Sequence, residues 1–385
     1  MPVEAIATAT GTATMEITVS KFELLRELTA TQGVVERKTT IPILSNYLFE
    51  AGGDKLSLTA TDLDLSLRTS CTAKVKKEGS CTIPARKLHD YVKLLPDADI
   101  TIKLLENHWV SIRCGRSNTK MVGMARSNFP SLPAFPTAGI VKIPAQVLRN
   151  MIAKTGFAIA SEESRYTLNG ALMVLKPEAI VMVATDGHRL AHIERGGEKF
   201  DGVSGEMKTL VPKKAMDELK SLLDSTDAEE IEFAKDDSTL FFRIGPRLLT
   251  SRQLTGQFPN YEAVLPKDNN KSINLNGGEL SAAISRVAQF ADERSRAVRI
   301  KLEKGELKLS ASSTELGDSE DTMEADYNGD VLTIGFNAGY ILDFLKAVGS
   351  GDVKLELKDA QSAGQLRPAE NEDYKYRYIV MPMRI

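Results

Sequence analysis

The chain has 385 residues and a formal net charge of −3, with 42% hydrophobic and 26% charged residues. At about 100–200 residues per domain, this length predicts two to four domains that can each bury a core, and the composition is ordinary for a globular protein. The slight acidic balance excludes a bulk polycation that holds nucleic acid by charge alone, so any affinity for DNA must come from local positive charge.

The N-terminal segment, residues 1–14, is rich in Ala and Thr and contains no Lys or Arg. It lacks the basic and apolar stretches of a signal peptide, and apolar runs elsewhere are too short to span a bilayer. We therefore expect a disordered leader on a soluble, cytoplasmic protein that does not contact membranes. Cys71, Cys81 and Cys114 form no CxxC pair, so we expect buried thiols in a reducing compartment.

From residue 15 onward the chain contains three similar segments in tandem. LSLTATD at 56–62, IVMVATD at 180–186 and the weaker LKLSASS at 307–313 predict equivalent strands. TIPARKLHDYVKLL at 82–95 resembles LVPKKAMDELKSLL at 210–223, with a third copy at 337–348. Apolar residues at i, i+3 and i+7 predict an amphipathic helix in each copy. An earlier helical pattern matches Leu25 and Arg26 to Leu148 and Arg149.

Each copy is expected to follow the order strand, helix, strands, helix, strands. Short turns such as that at 52–54 favour antiparallel sheets. Two helices and several strands in roughly 125 residues predict an α+β domain with its helices on one sheet face. The Pro-marked stretches at 129–136 and 259–266 suggest domains at 15–140, 141–268 and 269–385.

Basic residues recur on the polar faces of the predicted helices. The first domain carries 17 Lys and Arg against 13 Asp and Glu, whereas the third carries 15 against 19. A basic lining inside an acidic shell could contact phosphates without reading bases. For any one of these residues an ordinary solvated position is the simpler interpretation, and their recurrence makes the two interpretations comparable. The residues are Arg26, Arg86, Lys93, Arg149, Lys213, Lys214, Lys220 and Lys346.

Catalytic patterns are weak in this sequence. His188 and His192 have an H-x3-H spacing that can bind zinc on a helix, but they follow a predicted strand and turn, and no third ligand is evident. There is no GxSxG string and no GxxxxGK[ST] loop. A hydrolase using His188 therefore remains only a minor alternative, and we expect no cofactor, no metal and no catalytic residue.

Several strings resemble the bacterial DNA polymerase III beta-subunit family, the replicative sliding clamps, collinearly over residues 15–385. TDGHRL at 185–190 and VMPMR at 380–384 together are the most specific. The other strings are IPILSN at 41–46, IPARK at 83–87, RYTLNG at 165–170, FPNY at 258–261 and VLP at 264–266.

The resemblance implies three tandem clamp domains, with antiparallel sheets outside and two helices per domain lining a ring. It implies a head-to-tail homodimer that encircles duplex DNA without sequence preference and acts as a processivity factor. Its implied partners are the DNA polymerase III alpha subunit, a clamp loader and other clamp-binding proteins. The dimer contact would join domain one to domain three of a second copy, with Phe290 as a candidate residue.

The resemblance also implies a pocket for partner peptides between domains two and three. Met381 and Met383 are adaptable side chains suited to varied peptides, although core packing would be the default interpretation without the resemblance. Pro382 lacks an N–H and predicts that the last strand is an edge strand. The implied wall consists of Leu168, Thr185, Gly187, His188, Arg189, Leu190, Pro259, Val264, Tyr340, Val380, Met381, Pro382, Met383 and Arg384. The implied DNA-facing residues are Lys38, Arg86, Lys93, Arg149, Lys213, Lys214 and Lys220.

Some features depart from the family pattern. Thr167 stands where some members carry an aromatic residue, and Ala263 stands where some carry a basic one. Both changes concern the edge of the implied pocket and so bear on peptide preference. A diverged clamp paralogue, such as an antibiotic-resistance form, therefore stays open as an alternative to the replicative clamp.

Overall fold

The computed structural model describes residues 14–36, 39–161, 165–197, 199–203, 205–370 and 373–384. The predicted leader apart from Thr14, and the predicted DNA-facing residue Lys38, lie outside these residues. No helix in the described ranges is both long and apolar enough to cross a membrane.

The elements follow the predicted order of strand, helix, strands, helix, strands, three times over. The first copy contains β1 (Glu16–Ser20), α1 (Lys21–Ala30), β2 (Asn46–Gly52), β3 (Lys55–Thr61), β4 (Leu65–Thr72), β5 (Lys74–Lys77), β6 (Gly79–Pro84), α2 (Ala85–Leu94), β7 (Asp99–Leu104), β8 (Trp109–Cys114) and β9 (Ser117–Val122). The second contains β10 (Val141–Pro144), α3 (Ala145–Thr155), β11 (Gly170–Lys176), β12 (Ala179–Thr185), β13 (Arg189–Gly196), β14 (Met207–Pro212), α4 (Lys213–Asp224), β15 (Glu230–Lys235), β16 (Thr239–Ile244) and β17 (Arg247–Arg252). The third contains β18 (Lys271–Asn276), α5 (Gly277–Val287), β19 (Ala297–Glu303), β20 (Glu306–Ser313), β21 (Gly317–Glu324), β22 (Leu332–Asn337), α6 (Ala338–Val348), β23 (Asp352–Leu357), β24 (Gly364–Pro368) and β25 (Lys375–Val380).

The amphipathic pattern of α2 shows why these segments become helices packed on sheets. Leu88 and Val92 are fully buried one turn apart, whereas Arg86 and Lys93 are exposed. Because residues three, four and seven apart share a helix face, one stripe enters the core and the other carries the charge. Pro84 ends the preceding strand and stands immediately before the first helical residue, where its missing N–H has no helical partner to lose.

The chain divides into two compact units. The first contains the described residues of 1–140 and 221–252. Its sheets are antiparallel, with strand orders β5-β1-β7-β8-β9 and β15-β16-β17-β4-β3-β2-β6. In the second of these sheets β17 pairs with β4, with Ser251 opposite Leu65. We call the pairing of β17 with β4 the first seam, because it joins strands of the first and second copies.

A buried ion pair lies close to the first seam. The Glu27 side chain on α1 has no solvent exposure, and Arg247 Nε on β17 lies 3.0 Å from its Oε2. The Thr69 hydroxyl on β4 and Arg26 Nε also donate to this carboxylate, at 2.6 and 2.7 Å. Burial alone would raise the pKa of Glu27, but these hydrogen bonds outweigh it and lower that pKa. Glu27 is therefore a charged group held inside the unit by three donors.

The second unit contains the described residues of 141–220 and 253–385. Its antiparallel sheets have strand orders β14-β11-β12-β13-β25-β24-β23-β18 and β21-β20-β19-β22. Here β25 pairs with β13, with Val380 opposite Arg189. We call the pairing of β25 with β13 the second seam, because it joins strands of the second and third copies.

Identical local hydrogen bonds show which residues of the first two copies are equivalent. The Thr31 and Thr155 hydroxyls each donate to the carbonyl four residues earlier, from positions 124 residues apart. α1 and α3 begin 124 residues apart as well. The expected match of Arg26 to Arg149 was therefore wrong by one residue, since Arg149 corresponds to Leu25. The apolar pattern alone could not separate adjacent Leu24 and Leu25, and only Leu24 is fully buried.

Candidate functional site

The TDGHR string forms a self-bonded turn between β12 and β13 in the second unit. The Thr185 hydroxyl donates to the carbonyl of Arg189 at 2.6 Å and accepts the N–H of Gly187 at 3.1 Å. The Asp186 carboxylate accepts the N–H groups of His188 and Arg189 at 2.9 and 3.0 Å. Gly187 has a φ of +89°, a region that a glycine adopts without steric cost. The polar side chains of the string thus fix the backbone of one edge of the site.

A small apolar cavity of about 130 Å³ lies beside this turn. Three residues of the 259–264 segment also line it, and Met381, just beyond β25, contributes to its wall. Eight of the fourteen residues implied by the resemblance line this cavity, and Val264 and Met381 are each more than 40% exposed. The eight are Leu168, Thr185, Gly187, Arg189, Leu190, Pro259, Val264 and Met381.

The other six expected wall residues do not line this cavity. Val380 is buried next to Ile379, and consecutive strand residues point to opposite faces of the sheet. The carbonyl of His188 accepts the N–H of Met381 at 2.9 Å, and the His188 side chain is exposed. The N–H of Met383 donates to Gly335 on β22 at 2.8 Å. Tyr340, Pro382 and Arg384 lie outside the cavity lining.

Two lining residues, Tyr261 and Ile379, were missed by the sequence analysis. Ile379 could have been found from strand periodicity, because Met381 and Ile379 are two residues apart and share a side. Tyr261 belongs to the FPNY string, but no periodic pattern precedes it from which the direction of its side chain could be predicted.

The expectation of an edge strand before Pro382 was wrong. β25 pairs with β13 on one side and with β24 on the other, so it is an interior strand. It ends at Val380, two residues before Pro382, and the missing N–H therefore interrupts no ladder.

The floor of the cavity is the apolar sheet face around Val183, Leu190 and Ile379, against which Phe258 and Tyr261 pack. His192 is buried on this face, with its ring centroid 5.6 Å from that of Tyr261. Burial lowers the pKa of His192, which favours the neutral form of its ring. Within the described residues, His192 Nδ1 has no hydrogen-bond partner.

His188 and His192 do not form the helical zinc pair that an H-x3-H spacing can provide. His192 lies within β13 and His188 in the turn before it, so four residues of extended chain, about 13 Å, separate them. No cluster of three or more potential metal ligands occurs in the part of the chain that the structure describes.

Besides lining the cavity, Arg189 connects several elements of the second unit through its guanidinium group. It donates to Asp186 Oδ2 at 3.0 Å, to Asp343 Oδ2 on α6 at 2.6 Å, and to the carbonyl of Phe157 at 2.7 Å. Its carbon lies 4.4 Å from the ring centroid of Tyr340. Arg189 thus ties the turn at the pocket to α6, across the second seam.

The predicted DNA-facing residues within the described ranges lie on helices. Arg86 and Lys93 are exposed on α2, and Lys214 and Lys220 are exposed on α4. Lys213 Nζ, also on α4, lies 3.4 Å from Asp217 Oδ2. Arg149 on α3 is half-buried and donates to the Gln146 side chain at 2.9 Å.

Comparison with known proteins places the whole architecture in one family. The chain matches the N-terminal domain of the DNA polymerase III beta subunit over residues 15–133, its central domain over 142–260 and its C-terminal domain over 262–384. It is 35% identical to the beta sliding clamp of Pseudomonas aeruginosa over 373 residues, which covers 96% of this chain and 100% of that protein. It is 34% identical to the Caulobacter vibrioides beta sliding clamp over 377 residues, with the same coverage.

Solved structures agree with the sequence relatives. The crystal structure of the Pseudomonas aeruginosa sliding clamp bound to griselimycin aligns with a TM-score of 0.90 and 35% identity, covering 96% of this chain and 100% of that one. The repeated strand and helix order and the antiparallel sheets therefore have a common explanation. The chain belongs to the DNA polymerase III beta-subunit family, the beta sliding clamps.

Proposed function

We propose that the cavity beside the TDGHR turn receives a short apolar segment of partner proteins in an extended conformation. The observation that carries this proposal is the composition of the cavity, whose lining is mostly apolar and includes the exposed side chains of Val264 and Met381. Exposed apolar surface of this kind is costly to leave in water and marks a binding site. The partners that fit the family are the DNA polymerase III alpha subunit, the clamp loader and other proteins with a clamp-binding motif.

As a member of its family the chain is a non-catalytic processivity factor, a ring-shaped homodimer that encircles duplex DNA and tethers the polymerase. We infer that the basic residues of α2, α3 and α4 face the duplex. Arg86, Lys93, Lys214 and Lys220 are exposed on helices, and lysine and arginine contacts to phosphates carry no sequence information. Such a protein acts in the cytoplasm, where bacterial DNA is replicated.

Retention on circular DNA tests encirclement. A protein that makes 6–10 phosphate contacts loses about 10³–10⁵-fold in affinity between about 50 and 200 mM salt. A closed ring is held by topology instead, so we expect the clamp, once loaded on closed circular DNA, to remain bound when salt is raised over this range. The measurement is gel filtration of the loaded circles, which separates bound from free clamp.

Linearised DNA of the same sequence is the control, because a ring slides off its ends. Encirclement predicts rapid loss after cutting with a restriction enzyme at the same salt concentration. Equal loss from intact circles and cut DNA would contradict it.

A further inference from the structure

The cavity beside the TDGHR turn is lined in part by the segment that joins β17 to β18, residues 253–270, which we call the connector. Three connector residues line the cavity, namely Pro259, Tyr261 and Val264. The connector, all of which the structure describes, contains no strand and has one short helical turn, Tyr261–Ala263. Its position over the cavity therefore depends on contacts other than a sheet ladder.

Hydrogen bonds hold the connector to the sheet on both sides of its cavity-lining part. The Leu254 N–H donates to a carbonyl of β14 at 3.1 Å, and Arg377 Nη2 on β25 donates to the carbonyl of Pro266 at 2.8 Å. Between these two points, Phe258 and Tyr261 pack on the apolar sheet face. The side chains beneath the connector thus help to determine where the cavity-lining residues lie.

The ionisable side chain of His192 is buried on the sheet face where the connector packs. It is 7% exposed, and its ring centroid lies 5.6 Å from that of Tyr261, with an angle of 36° between the rings. On the neighbouring strands it lies opposite Val183 of β12 and Arg377 of β25. Because both strands are held in ladders, Tyr261 is the neighbour that can move away from the ring.

The equivalent position at the first seam is exposed. Thr61 and Thr185 are 124 residues apart, and each hydroxyl accepts the N–H two residues further on, so Arg68 on β4 is the equivalent of His192. Arg68 is exposed to solvent. A polar side chain at this strand position stays in water at the first seam, whereas at the second seam the connector covers it. The burial of His192 is therefore a feature of the pocket and not of the repeated strand.

The surroundings of His192 favour the neutral form of its ring. Burial lowers its pKa, an effect that Glu194 and Glu262 oppose and Arg377 reinforces. Glu194 lies on the same strand, 3.9 Å from Lys375 Nζ, and Glu262 is exposed on the connector. Within the described residues His192 Nδ1 has no hydrogen-bond partner, and a charged imidazole has a donor on both ring nitrogens. A charged ring in this place therefore leaves a buried donor unpaired, which is costly.

We propose that His192 is a positioning residue of the peptide pocket, whose neutral ring holds Tyr261, and with it the connector, in the arrangement that binds peptide. Charging the ring releases Tyr261 and lowers the affinity for peptide. This inference rests on the proposed function of the cavity, and it adds a residue that does not itself line the cavity. The affinity of the pocket then depends on the protonation of a group buried behind its wall.

The direction of the pH dependence follows from which state binds the proton more readily. When Tyr261 is released, the His192 ring reaches solvent and its pKa rises towards the ordinary value of about 6.5. The proton therefore favours the released state, peptide favours the neutral state, and the two compete. Peptide affinity should be constant above about pH 7 and fall below about pH 6.5, by at most about tenfold per pH unit, because one proton is involved.

The pH profile of peptide binding by the full-length protein tests this inference. Fluorescence anisotropy of a histidine-free polymerase alpha-subunit peptide, labelled with a rhodamine that does not titrate in this range, measures the affinity. The wild type should lose at least about threefold in affinity between about pH 7.5 and pH 5. Circular dichroism at each pH checks that the protein stays folded.

Three variants separate protonation of His192 from its packing. His192→Phe keeps a flat ring against Tyr261 that cannot take a proton, and should remove the pH dependence. His192→Ala removes the ring and should bind about tenfold more weakly than His192→Phe at about pH 7.5, again without pH dependence. His89→Phe makes the same exchange on α2 in the first unit and should keep the wild-type profile.

Proton release on binding is a second measurement, which the wild type alone can provide. Titration calorimetry in two buffers of different ionisation enthalpy gives the number of protons released when peptide binds. The wild type should release part of one proton at about pH 5.5 and none at about pH 8. Absence of release at the lower pH would overturn the role of His192 even if its variants failed to fold.

The outcomes separate this inference from the proposed function. Equal affinity at every pH, or a pH dependence that persists in His192→Phe, overturns the role of His192 while peptide binding stands. A wild type that binds no peptide at any pH contradicts the proposed function, and this inference with it. A pH dependence that is lost in His192→Phe and kept in His89→Phe supports both.

Discussion

Arg247→Met is expected to destabilise the first unit by about 3–5 kcal/mol, because it removes one partner of a buried ion pair. Glu27 has no solvent exposure, and the Arg247 side chain is only 8% exposed. With the guanidinium gone, two donors, Thr69 and Arg26, are left to offset the burial of the carboxylate, so the pKa of Glu27 should rise. The chain has a single tryptophan, Trp109, which lies in the first unit. Its fluorescence during urea unfolding measures the loss of stability.

Two further variants separate buried charge from lost packing. Arg252→Met removes a cation from the same strand, but its ion pair with Asp64 is more than 70% exposed on both sides, so the expected change is below about 1 kcal/mol. Glu27→Gln combined with Arg247→Met leaves no unpaired charge and should recover a large part of the stability. Equal effects of Arg247→Met and Arg252→Met would show that the buried pair is unimportant.

Deletion of residues 381–385 is expected to weaken the binding of a polymerase alpha-subunit peptide at least a hundredfold, about 2.7 kcal/mol. The deletion removes Met381 from the wall of the cavity, and with it the hydrogen bond from the Met381 N–H to the carbonyl of His188 and the one from the Met383 N–H to Gly335. The dimer should persist, because the deletion removes no residue of any strand or helix of the described chain. Fluorescence anisotropy with a labelled peptide measures affinity, and mass determination measures the dimer.

A pair of point variants controls for general effects of the deletion. Val264→Asp puts a charge into the cavity lining and should weaken binding strongly. Val331→Asp makes the same change at a residue that is 62% exposed and outside the lining, and should leave binding unchanged. Unchanged affinity in the truncated protein and in Val264→Asp would refute the assignment of the pocket.

Local strings in the sequence were sufficient to predict the repeated architecture. Thr61 and Thr185 precede aspartates in nearly identical strands, and both hydroxyls accept the N–H two residues on. A short motif whose side chains bond to its own backbone favours one local turn conformation without help from distant residues. The number of copies and the order of their elements could therefore be predicted, and the domain matches confirm the family.

Contacts between distant residues could not be predicted in this way. Arg189 meets Asp343 across 154 positions, and Arg247 meets Glu27 across 220. Nothing in the spacing of either pair indicates a partner, because the seams that bring them together depend on the sheet order of the folded chain. Tyr261 was missed for a similar reason, since its direction is set by packing on the sheet face near His192.

The sequence patterns also could not determine which residues of α1 and α3 are equivalent. Leu24 and Leu25 are adjacent and equally apolar, and the choice between them shifts every equivalent residue of α1 by one position. The structure resolves the choice through the burial of Leu24 and the matching hydroxyl bonds of Thr31 and Thr155.

Negative-stain electron microscopy, with mass determination on the same purified sample, tests most directly that this chain forms a clamp. We predict closed, six-lobed rings at twice the mass of the chain, with a hole wide enough for duplex DNA. Three-lobed arcs at the mass of one chain, persisting at several micromolar, would contradict the account, because an arc with both edges free cannot hold itself on DNA.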